Sequence, residues 1–600
     1  MVKLSDYVME FVEKLGVKHV FMLPGGGCMH LVDSLGRNRK LKSVGYLHEQ
    51  AAAIAADAYA QYREGFGVAL VTTGPGGTNA VTAVTASWID STPMLLLSGQ
   101  VKTGDLIGKT GLRQRGIQEA DIVRIVKPVT KYAVTVTEPS SIRYHLEKAV
   151  YLALSGRKGP VWVDIPLDVQ GAQIDPKKLK GFAPPKAVKK DAAAARSAAL
   201  KAIALLNKAE RPVILAGAGI RMAGALDEFL ALAGKLGVPV LTTWRAIDFM
   251  GENHPLYFGR PGSIAGRAAN FIQQNSDFIM TIGARLDLPQ VGHNYNTFAR
   301  GAKKVIVDID QREIAKLAMR VGLKANCDAG LFIREISRNI SKVSKADRSA
   351  WLARCRAWKD GYPLGRGVTE TKGKLVNTYE LIEVLSELMD KRDVLVPGSS
   401  GACSEVTMQA FKVKAGQRIL NTPGLGSMGF GLPASTGACI AAGGRRTVTI
   451  IGDGGLQHNI QAYATLRRLN LPVKVFVLNN DGYGSIRIMQ TKHFKGNYVC
   501  CGPDSGLTIP DITRTAAVYG LKTLRISGKA GLRSGVRKVL AMKGPVVCEV
   551  MVDPWLETAP KLSSFVKPDG SIVSKPLEDL WPFLDREEFK ANMIVKPVAE

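Results

Sequence analysis

The chain has 600 residues and a mass of 64.6 kDa, too large for one hydrophobic core, and its length predicts three to four domains. Its 46% hydrophobic and 22% charged residues are typical of globular proteins and exclude an intrinsically disordered chain. The formal net charge of +28 leaves two explanations open: a polyanionic partner, such as nucleic acid or an anionic membrane, or a solubilising surface.

The first residues and the cysteines restrict the class of protein further. Residues 1–16 alternate charged and apolar positions, which predicts an amphipathic helix and not a signal peptide. The sequence contains no run of about 20 apolar residues, so we expect no membrane partner. Eight cysteines are scattered without a Cys-x-x-Cys pair, which disfavours a zinc ribbon or a disulfide framework and favours the cytoplasm.

Apolar strand-like runs alternate with helical segments along most of the chain, which predicts an α/β protein of three doubly wound parallel-sheet domains. We place these domains at residues 1–170, 194–340 and 373–560, with polar linkers at 175–195 and 341–374. A tail at 561–600 follows, and we consider that it folds over the mouth of the site. The predicted strand runs are 18–25, 67–77, 93–99, 159–166, 212–220, 239–244, 278–286, 304–310, 393–399, 446–455, 473–480 and 544–553.

The third domain carries the strongest chemical pattern. Asp453 and Asn480 each follow a predicted parallel strand, and ligands of open parallel sheets bind beyond the carboxyl ends of the strands. A carboxylate and an amide oxygen suit Mg²⁺, while Gly454 and Gly455 let a phosphate approach the start of a helix. The pattern therefore favours a magnesium–diphosphate site, and its structural alternative is an ordinary turn with a capping aspartate.

These residues resemble the thiamine-diphosphate binding motif. Residues 47–60, 71–82, 93–101 and 423–435 are similar to the acetolactate synthase group of that enzyme family. The resemblance covers residues 2–554, and it implies pyrimidine-binding, central and diphosphate-binding domains in that order. It also implies an active site shared between two chains, and therefore a homodimer or homotetramer.

The resemblance assigns roles to individual positions. Asp453, Asn480 and the Gly482 carbonyl would bind Mg²⁺, and Glu49 would hydrogen-bond the aminopyrimidine ring of thiamine diphosphate, although a helix-start glutamate is its ordinary alternative. Gln118 would be catalytic and Gly26 would lie beside the reacting carbons, unless Gly26 only forms a turn. The remaining cofactor-binding positions are Pro75, Asn79, Gly401, Gly426, Met428, Gly452, Gly454, Gly455, Tyr483 and Gly484.

The central domain bears on a second cofactor. Residues 283–292, around Arg285, are similar to the flavin-contacting stretch of the family, and Asp308 ends a predicted strand where an adenosine would bind. The resemblance therefore implies FAD, although residues 288–290 replace acidic and basic residues of the family pattern.

The substrate end departs from the family. Leu167 replaces a lysine, Met489 replaces a tryptophan, and Ile117 replaces a phenylalanine. Ala402 and Cys403 replace a Gln-His pair.

Three arginines, Arg113, Arg115 and Arg487, add positive charge at the expected mouth of the pocket. A guanidinium fork binds phosphate in a bidentate manner, although these side chains could also form surface ion pairs. We expect an acceptor that is bulkier and more anionic than pyruvate, such as a nucleotide-linked keto sugar.

The predicted function is a carboligase that decarboxylates a 2-oxo acid, pyruvate in the simplest case, and transfers the two-carbon unit to a second carbonyl. A true acetolactate synthase and a CoA-type decarboxylase or lyase remain open. The eight isolated histidines disfavour an aldehyde-releasing decarboxylase, and intact cofactor positions disfavour an inactive subunit. The basic residues concentrate at 177–190 and 342–359 without a nucleic-acid-binding motif, so no nucleic-acid partner is expected.

Overall fold

The computed structural model describes residues 1–185, 190–364, 371, 373–566, 570 and 572–598. Three parallel sheets follow one another along the chain, which confirms the predicted fold class. Parts of both predicted linkers, residues 186–189, 365–370 and 372, lie outside the described residues. Among the residues that are described, no helix is long and apolar enough to cross a membrane.

The first sheet has the order β3-β2-β4-β5-β7-β6. A separate antiparallel pair, β1 and β8, joins the start of this domain to its end. The strands are β1 Val2–Lys3, β2 His19–Met22, β3 Lys42–Gly45, β4 Gly67–Val71, β5 Met94–Gln100, β6 Tyr132–Thr135, β7 Val161–Pro166 and β8 Gln173–Ile174. The helices are α1 Leu4–Lys14, α2 Met29–Arg37, α3 Glu49–Arg63, α4 Pro75–Ile89, α5 Ile122–Val126, α6 Ile142–Leu154 and α7 Leu167–Gly171. Strands β4, β5 and β7 are buried along their whole length because helices cover both faces of the sheet.

The second sheet has the order β10-β9-β11-β12-β13. Its strands are β9 Pro212–Ala216, β10 Val240–Thr242, β11 Phe278–Ile282, β12 Lys303–Asp308 and β13 Leu323–Asn326. Its helices are α8 Lys190–Leu206, α9 Gly219–Met222, α10 Leu226–Leu236, α11 Arg267–Gln274, α12 Leu288–Val291, α13 Gln311–Ala315, α14 Ala329–Arg338 and α15 Ser349–Gly361. Helix α8 starts inside the first predicted linker, whose last residues are therefore helical.

The third sheet has the order β15-β14-β16-β17-β19-β18. Its strands are β14 Val394–Pro397, β15 Arg418–Ile419, β16 Thr447–Gly452, β17 Val473–Asn479, β18 Lys522–Ile526 and β19 Val546–Met551. Its helices are α16 Thr378–Leu388, α17 Ala402–Ala410, α18 Gly431–Ala441, α19 Asp453–Gln457, α20 Ala462–Leu469, α21 Gly484–Phe494, α22 Ile512–Val518 and α23 Leu532–Ala541.

The tail contains a two-stranded hairpin, β20 Ser564–Val566 with β21 Ile572–Ser574, and helix α24 Arg586–Ala591. It packs on the central domain, where Arg267 donates to the Leu580 carbonyl and Asn270 donates to the Leu577 carbonyl. Leu577 and Phe589 belong to the hydrophobic core of that domain. The tail thus packs on the central domain, and the expected cover over the mouth of the site stays a prediction.

The first and third domains share one hydrophobic core, in which the alanine-rich helix α3 packs on helix α18. A Cβ atom at Gly437 would lie 2.0 Å from the Ala55 carbonyl oxygen, so this crossing tolerates no side chain at Gly437. Gly67 is under the same constraint, at 2.0 Å from the Ala56 carbonyl oxygen. The small residues of α3 therefore hold the two domains at a fixed short distance.

A buried carboxyl group lies in the middle of the first sheet. Asp164 of strand β7 is fully buried, and it accepts hydrogen bonds from Ser98, Gln100 and Thr135. Burial disfavours the charged form more than these donors favour it, and it raises the pKa of Asp164 to about 7.

We predict that Asp164→Asn removes a pH-dependent loss of stability. The pKa of Asp164 is higher in the folded chain than its ordinary value of 3.8, so stability falls as the pH rises from about 4 to 7. Between pH 5 and pH 8 the free energy of unfolding of the variant, relative to the wild type, should rise by on the order of 2–3 kcal/mol. Thermal unfolding of both proteins at both pH values measures it, and an unchanged difference would contradict the prediction.

Candidate active site

Two neighbouring strands of the third sheet bring Asp453 and Asn480 together. The parallel register pairs Gly452 with Leu478, so both chains leave the sheet side by side. Asp453 Oδ2 then accepts hydrogen bonds from the backbone amides of Asn480, at 3.1 Å, and Gly482, at 3.0 Å, while Oδ1 accepts one from Gly454 at 2.7 Å. One carboxylate thus joins the two strand ends into a single loop cluster.

The chemistry of these residues fits a hard cation. Asp453 is buried, and burial raises the pKa of its carboxyl group to about 6 in spite of the backbone amides that favour the charged form. Asn480 Oδ1 is buried and has no hydrogen-bond partner among the described residues, so an acceptor oxygen is left over beside the carboxylate. The described residues include no cluster of three or more His, Cys, Asp and Glu side chains, and the expected donors here are instead one carboxylate, one amide and one backbone carbonyl.

Glycines allow the two halves of this loop cluster to approach each other closely. A Cβ atom at Gly454 would lie 2.4 Å from the Tyr483 ring, and one at Gly484 would lie 2.4 Å from Asn480 Nδ2. Gly482 has a φ of +128° and faces the Cys501 carbonyl oxygen at 2.4 Å from its ideal Cβ position. Side chains at these positions would force the two halves of the cluster apart.

Two further loops border this cluster. An ideal Cβ at Gly401, where φ is +68°, would lie 3.2 Å from Ser485 Oγ at the start of helix α21. One at Gly426, where φ is +66°, would lie 3.5 Å from the Ser399 carbonyl oxygen, and Met428 two residues later is half-buried. The third domain therefore brings the predicted diphosphate and pyrimidine loops to one edge of its sheet, together with Gly452 and Gly455, which flank Asp453 and Gly454.

Glu49 and Asn79 meet at the corresponding edge of the first sheet. Glu49 opens helix α3, where the His48 side chain caps the helix by accepting from the Gln50 amide. Asn79 Nδ2, in the first turns of helix α4 after Pro75, donates to Glu49 Oε2 at 3.0 Å. Glu49 is buried, so this amide fixes the direction in which its carboxyl group points.

Gln118 and Gly26 belong to loops at the same edge of the first sheet. An ideal Cβ at Gly74 would be 2.1 Å from the Gln118 carbonyl oxygen, and Gln118 itself has a φ of +61° and an exposed side chain. Ideal Cβ atoms at Gly25 and Gly27 would collide with Thr72 and Thr73, whereas no atom of the described residues lies within 4 Å of an ideal Cβ at Gly26. The absent side chain of Gly26 therefore leaves open space next to this group.

A buried carboxylate organises the loop that carries the predicted arginines. Glu119 accepts hydrogen bonds from the backbone amides of Ile107, Arg115 and Gly116. Arg113 and Arg115 remain exposed, and the side chain of Ile117 is 88% exposed. Glu119 thus gives the loop a defined shape while the side chains of the predicted arginines are exposed.

Arg487 lies in different surroundings. Its guanidinium is buried, and it donates to the backbone carbonyls of Asn480, Asp481 and Cys501. A free basic side chain at the pocket mouth was expected, and the structure has a buried loop contact instead. Met489, two residues further along helix α21, is 43% exposed.

A cavity of about 850 Å³ lies where the three domains meet. Arg285 and Asp308 of the central domain line it, and Gly401 lines its far side. Burial raises the pKa of Asp308. The volume falls in the range of ligand pockets, and its position beyond the ends of β9, β11 and β12 suits a nucleotide-containing cofactor.

Sequence reasoning missed three residues of these sites. Glu119 orders the arginine loop, and Arg157 lines the cavity and pairs with Glu313. Ser399 carries a buried hydroxyl that has no hydrogen-bond partner in the described part of the chain. Arg157 lies in a Gly-Arg-Lys-Gly turn, where basic residues are common, so only the folded structure shows that it lines the cavity. Glu119 directly follows Gln118, and a carboxylate next to glycine-rich loop residues was the signal that could have found it.

Known protein families match the chain in the expected order. The N-terminal TPP binding domain of thiamine pyrophosphate enzymes matches residues 2–125, the central domain matches 199–336, and the C-terminal TPP binding domain matches 399–550.

Similar proteins cover nearly the whole chain. The acetolactate synthase large subunit of Corynebacterium glutamicum is 33% identical over 98% of this chain and 92% of its own length. Acetolactate synthase 1, chloroplastic, of Zea mays is 31% identical over 93% of this chain and 87% of its own, and the large subunit of Cyanidium caldarium is 30% identical over 91% and 92%. The chain therefore belongs to the thiamine pyrophosphate enzymes and is an acetolactate-synthase-like member of that family.

Proposed function

We propose that the protein is a carboligase that decarboxylates a 2-oxo acid, pyruvate in the simplest case, and joins the two-carbon unit to the carbonyl of an anionic acceptor such as a nucleotide-linked keto sugar. The observation that carries the anionic acceptor is the loop on Glu119, which presents Arg113 and Arg115 to solvent beside Gln118. Eight free cysteines favour a reducing compartment, and we propose the cytoplasm.

Thiamine diphosphate, when bound, supplies the stabilisation of the carbanion that remains after decarboxylation. In our proposal Asp453, Asn480 and the Gly482 carbonyl hold its diphosphate through Mg²⁺. Glu49, oriented by Asn79, holds a proton at the pyrimidine ring, and Gln118 orients the reacting carbonyl. The open space at Gly26 leaves room for the substrate.

We propose that each active site combines two copies of the chain. The first-domain group around Glu49 and the third-domain group around Asp453 lie on separate sheets, and Ile117 and Gln118 are exposed in the single chain. An exposed isoleucine beside an exposed catalytic glutamine is the composition expected of a surface that a second copy covers. A two-fold symmetric dimer then has two such sites.

The cavity at the junction of the three domains is our proposed site for FAD. Arg285 and Asp308 line it, as the family resemblance implies, and Arg157 adds a cation at the same wall. The alternative occupant is the adenosine diphosphate portion of CoA, and identification of the bound molecule distinguishes the two.

We predict that the variants Glu49→Gln and Asp453→Asn are each inactive but complement each other. Loss of the Glu49 acid group should lower kcat about 10²–10⁴-fold, and loss of the Asp453 carboxylate should abolish metal binding. Equal co-expression should restore about a quarter of the wild-type activity, because half of the dimers are mixed and each contains one intact site. The test is the activity of the whole co-expressed protein relative to an equal amount of wild type, and no recovery would place both groups of a site in one chain.

We predict that an anionic acceptor is used in preference to pyruvate, and that it depends on Arg113 and Arg115. The enzyme is incubated with thiamine diphosphate, Mg²⁺ and pyruvate, with and without sugar nucleotides, and the products are identified by mass spectrometry. The double variant Arg113→Ala, Arg115→Ala should raise KM for the anionic acceptor about tenfold or more, since a hydrogen bond to a charged group is worth about 1.5–3 kcal/mol.

Arg124→Ala, which removes an exposed arginine of the same domain, is the matched control and should leave KM unchanged. Acetolactate as the preferred product of the wild type would favour a true acetolactate synthase and contradict the anionic acceptor.

We predict that the purified protein absorbs at about 450 nm because of bound flavin. Arg285→Met should lower the bound fraction several-fold, whereas Arg312→Met, which removes an exposed arginine near the same strand end, should leave it unchanged. The ligand released by heat is identified by mass spectrometry. A colourless protein that releases an adenine nucleotide would contradict the flavin and favour the CoA-type alternative.

A further inference from the structure

We propose that Arg487 is a positioning residue that holds the metal-binding loop in the shape its ligands require. The inference rests on the magnesium–diphosphate site proposed above. In this proposal Arg487 holds the backbone of the metal-binding loop and does not contact the acceptor.

The contacts of Arg487 all go to the backbone of two loop segments. Its Nη1 donates to the Asn480 carbonyl at 3.1 Å, and its Nη2 donates to the Asp481 carbonyl at 2.7 Å and to the Cys501 carbonyl at 3.3 Å. Arg487 lies in the first turn of helix α21, and helical side chains point back towards the N-terminus. The guanidinium therefore reaches the loop that directly precedes its own helix.

The same loop is fixed from a second direction. The Tyr483 amide donates to the Cys501 carbonyl at 3.0 Å, the oxygen that also accepts from Arg487. A Cβ atom at Gly502 would lie 2.8 Å from Arg487 Nη2, so the backbone there is pressed against the guanidinium. Arg487 thus joins the loop at 480–483 to the turn at 500–502.

The charge of Arg487 is not neutralised by an acid in the part of the chain that the structure describes. None of the salt bridges there involves Arg487, and its partners are three carbonyl dipoles and the Trp555 ring, whose centroid is 5.6 Å from the guanidinium carbon. A buried charge without an acidic partner needs all of its hydrogen bonds, so the loop must keep the shape that supplies three carbonyls.

That shape determines where the metal ligands point. Asn480 provides the unpartnered buried Oδ1, and its backbone is held at the amide by Asp453 and at the carbonyl by Arg487. Asp481 is held at its carbonyl, and Gly482 at its amide by Asp453. Both peptide groups between the two proposed ligands are therefore fixed. Asp453 can only accept from their amides, so Arg487 supplies the donors that hold their carbonyl oxygens.

The test is binding of Mg²⁺ to the full-length protein freed of cofactors, measured by titration calorimetry at a fixed, saturating concentration of thiamine diphosphate. Arg487→Met should weaken Mg²⁺ binding about 10–100-fold, as expected when a residue that orients metal ligands is lost. Arg487→Lys should give an intermediate loss, because an ammonium group keeps the charge but lacks the planar fork that spans three carbonyls. Arg514→Met, an exposed arginine of the same domain, is the control and should bind as the wild type does.

Each outcome decides a different point. Variants that bind Mg²⁺ as tightly as the wild type, with a raised KM for the acceptor, would overturn the positioning role and place Arg487 at the substrate. If thermal unfolding shows that Arg487→Met does not fold, Arg487→Lys decides, and a lysine variant with wild-type affinity would overturn the proposal. A wild-type protein that binds neither Mg²⁺ nor thiamine diphosphate would contradict the proposed function itself.

Discussion

The Asp453 carboxylate is the contact on which the geometry of the third domain depends. It follows one strand directly and accepts hydrogen bonds from the amides at the end of its neighbour, so two separate strand ends become one rigid cluster. The surrounding glycines allow this cluster to close, since a Cβ at Gly454 or Gly484 would meet another side chain at 2.4 Å. A buried carboxylate that uses only part of its accepting capacity on amides is available to a cation.

The first domain also holds a buried carboxyl group in a fixed orientation, but it does so with different residues. Its acid, Glu49, is oriented by one side-chain amide, Asn79, and is buried at the start of a helix. The alanine-rich body of that helix packs against α18 of the third domain, where Gly437 admits no side chain. The helix that carries the acid is therefore also the element that fixes the two domains against each other, and both features depend on small residues in one segment.

The sequence predicted the buried strands and missed the exposed ones. Eleven of the twelve predicted runs became interior strands, and the twelfth became the edge strand β10. Within the three large sheets the five strands that were missed, β3, β6, β13, β15 and β18, all lie at sheet edges. The two short antiparallel pairs, β1 with β8 and β20 with β21, were missed as well. An edge strand such as Lys42–Gly45 has exposed residues on its open side, so it lacks the continuous apolar run that identifies a strand buried on both faces.

The site was predictable to the extent that its residues follow strands in a recognisable motif. Asp453 lies beside Asn480 in the third domain, and Glu49 lies beside Asn79 in the first, as their motifs suggested. The role of Arg487 could not be predicted in this way, because a basic residue in a polar helix is equally typical of an exposed surface. Its burial follows from the positions of three backbone carbonyls, which the sequence does not show. The function of Glu119 likewise depends on backbone amides, which no residue type encodes.

The contacts of the C-terminal tail have a consequence for the order of folding. Buried side chains of helix α11, including Asn270 and Gln274, hydrogen-bond to the tail, and Phe589 completes the core of the central domain. These partners are separated by about three hundred positions in the chain. During synthesis the central domain emerges long before the tail does, so this part of its core stays open until the third domain and the tail have been made.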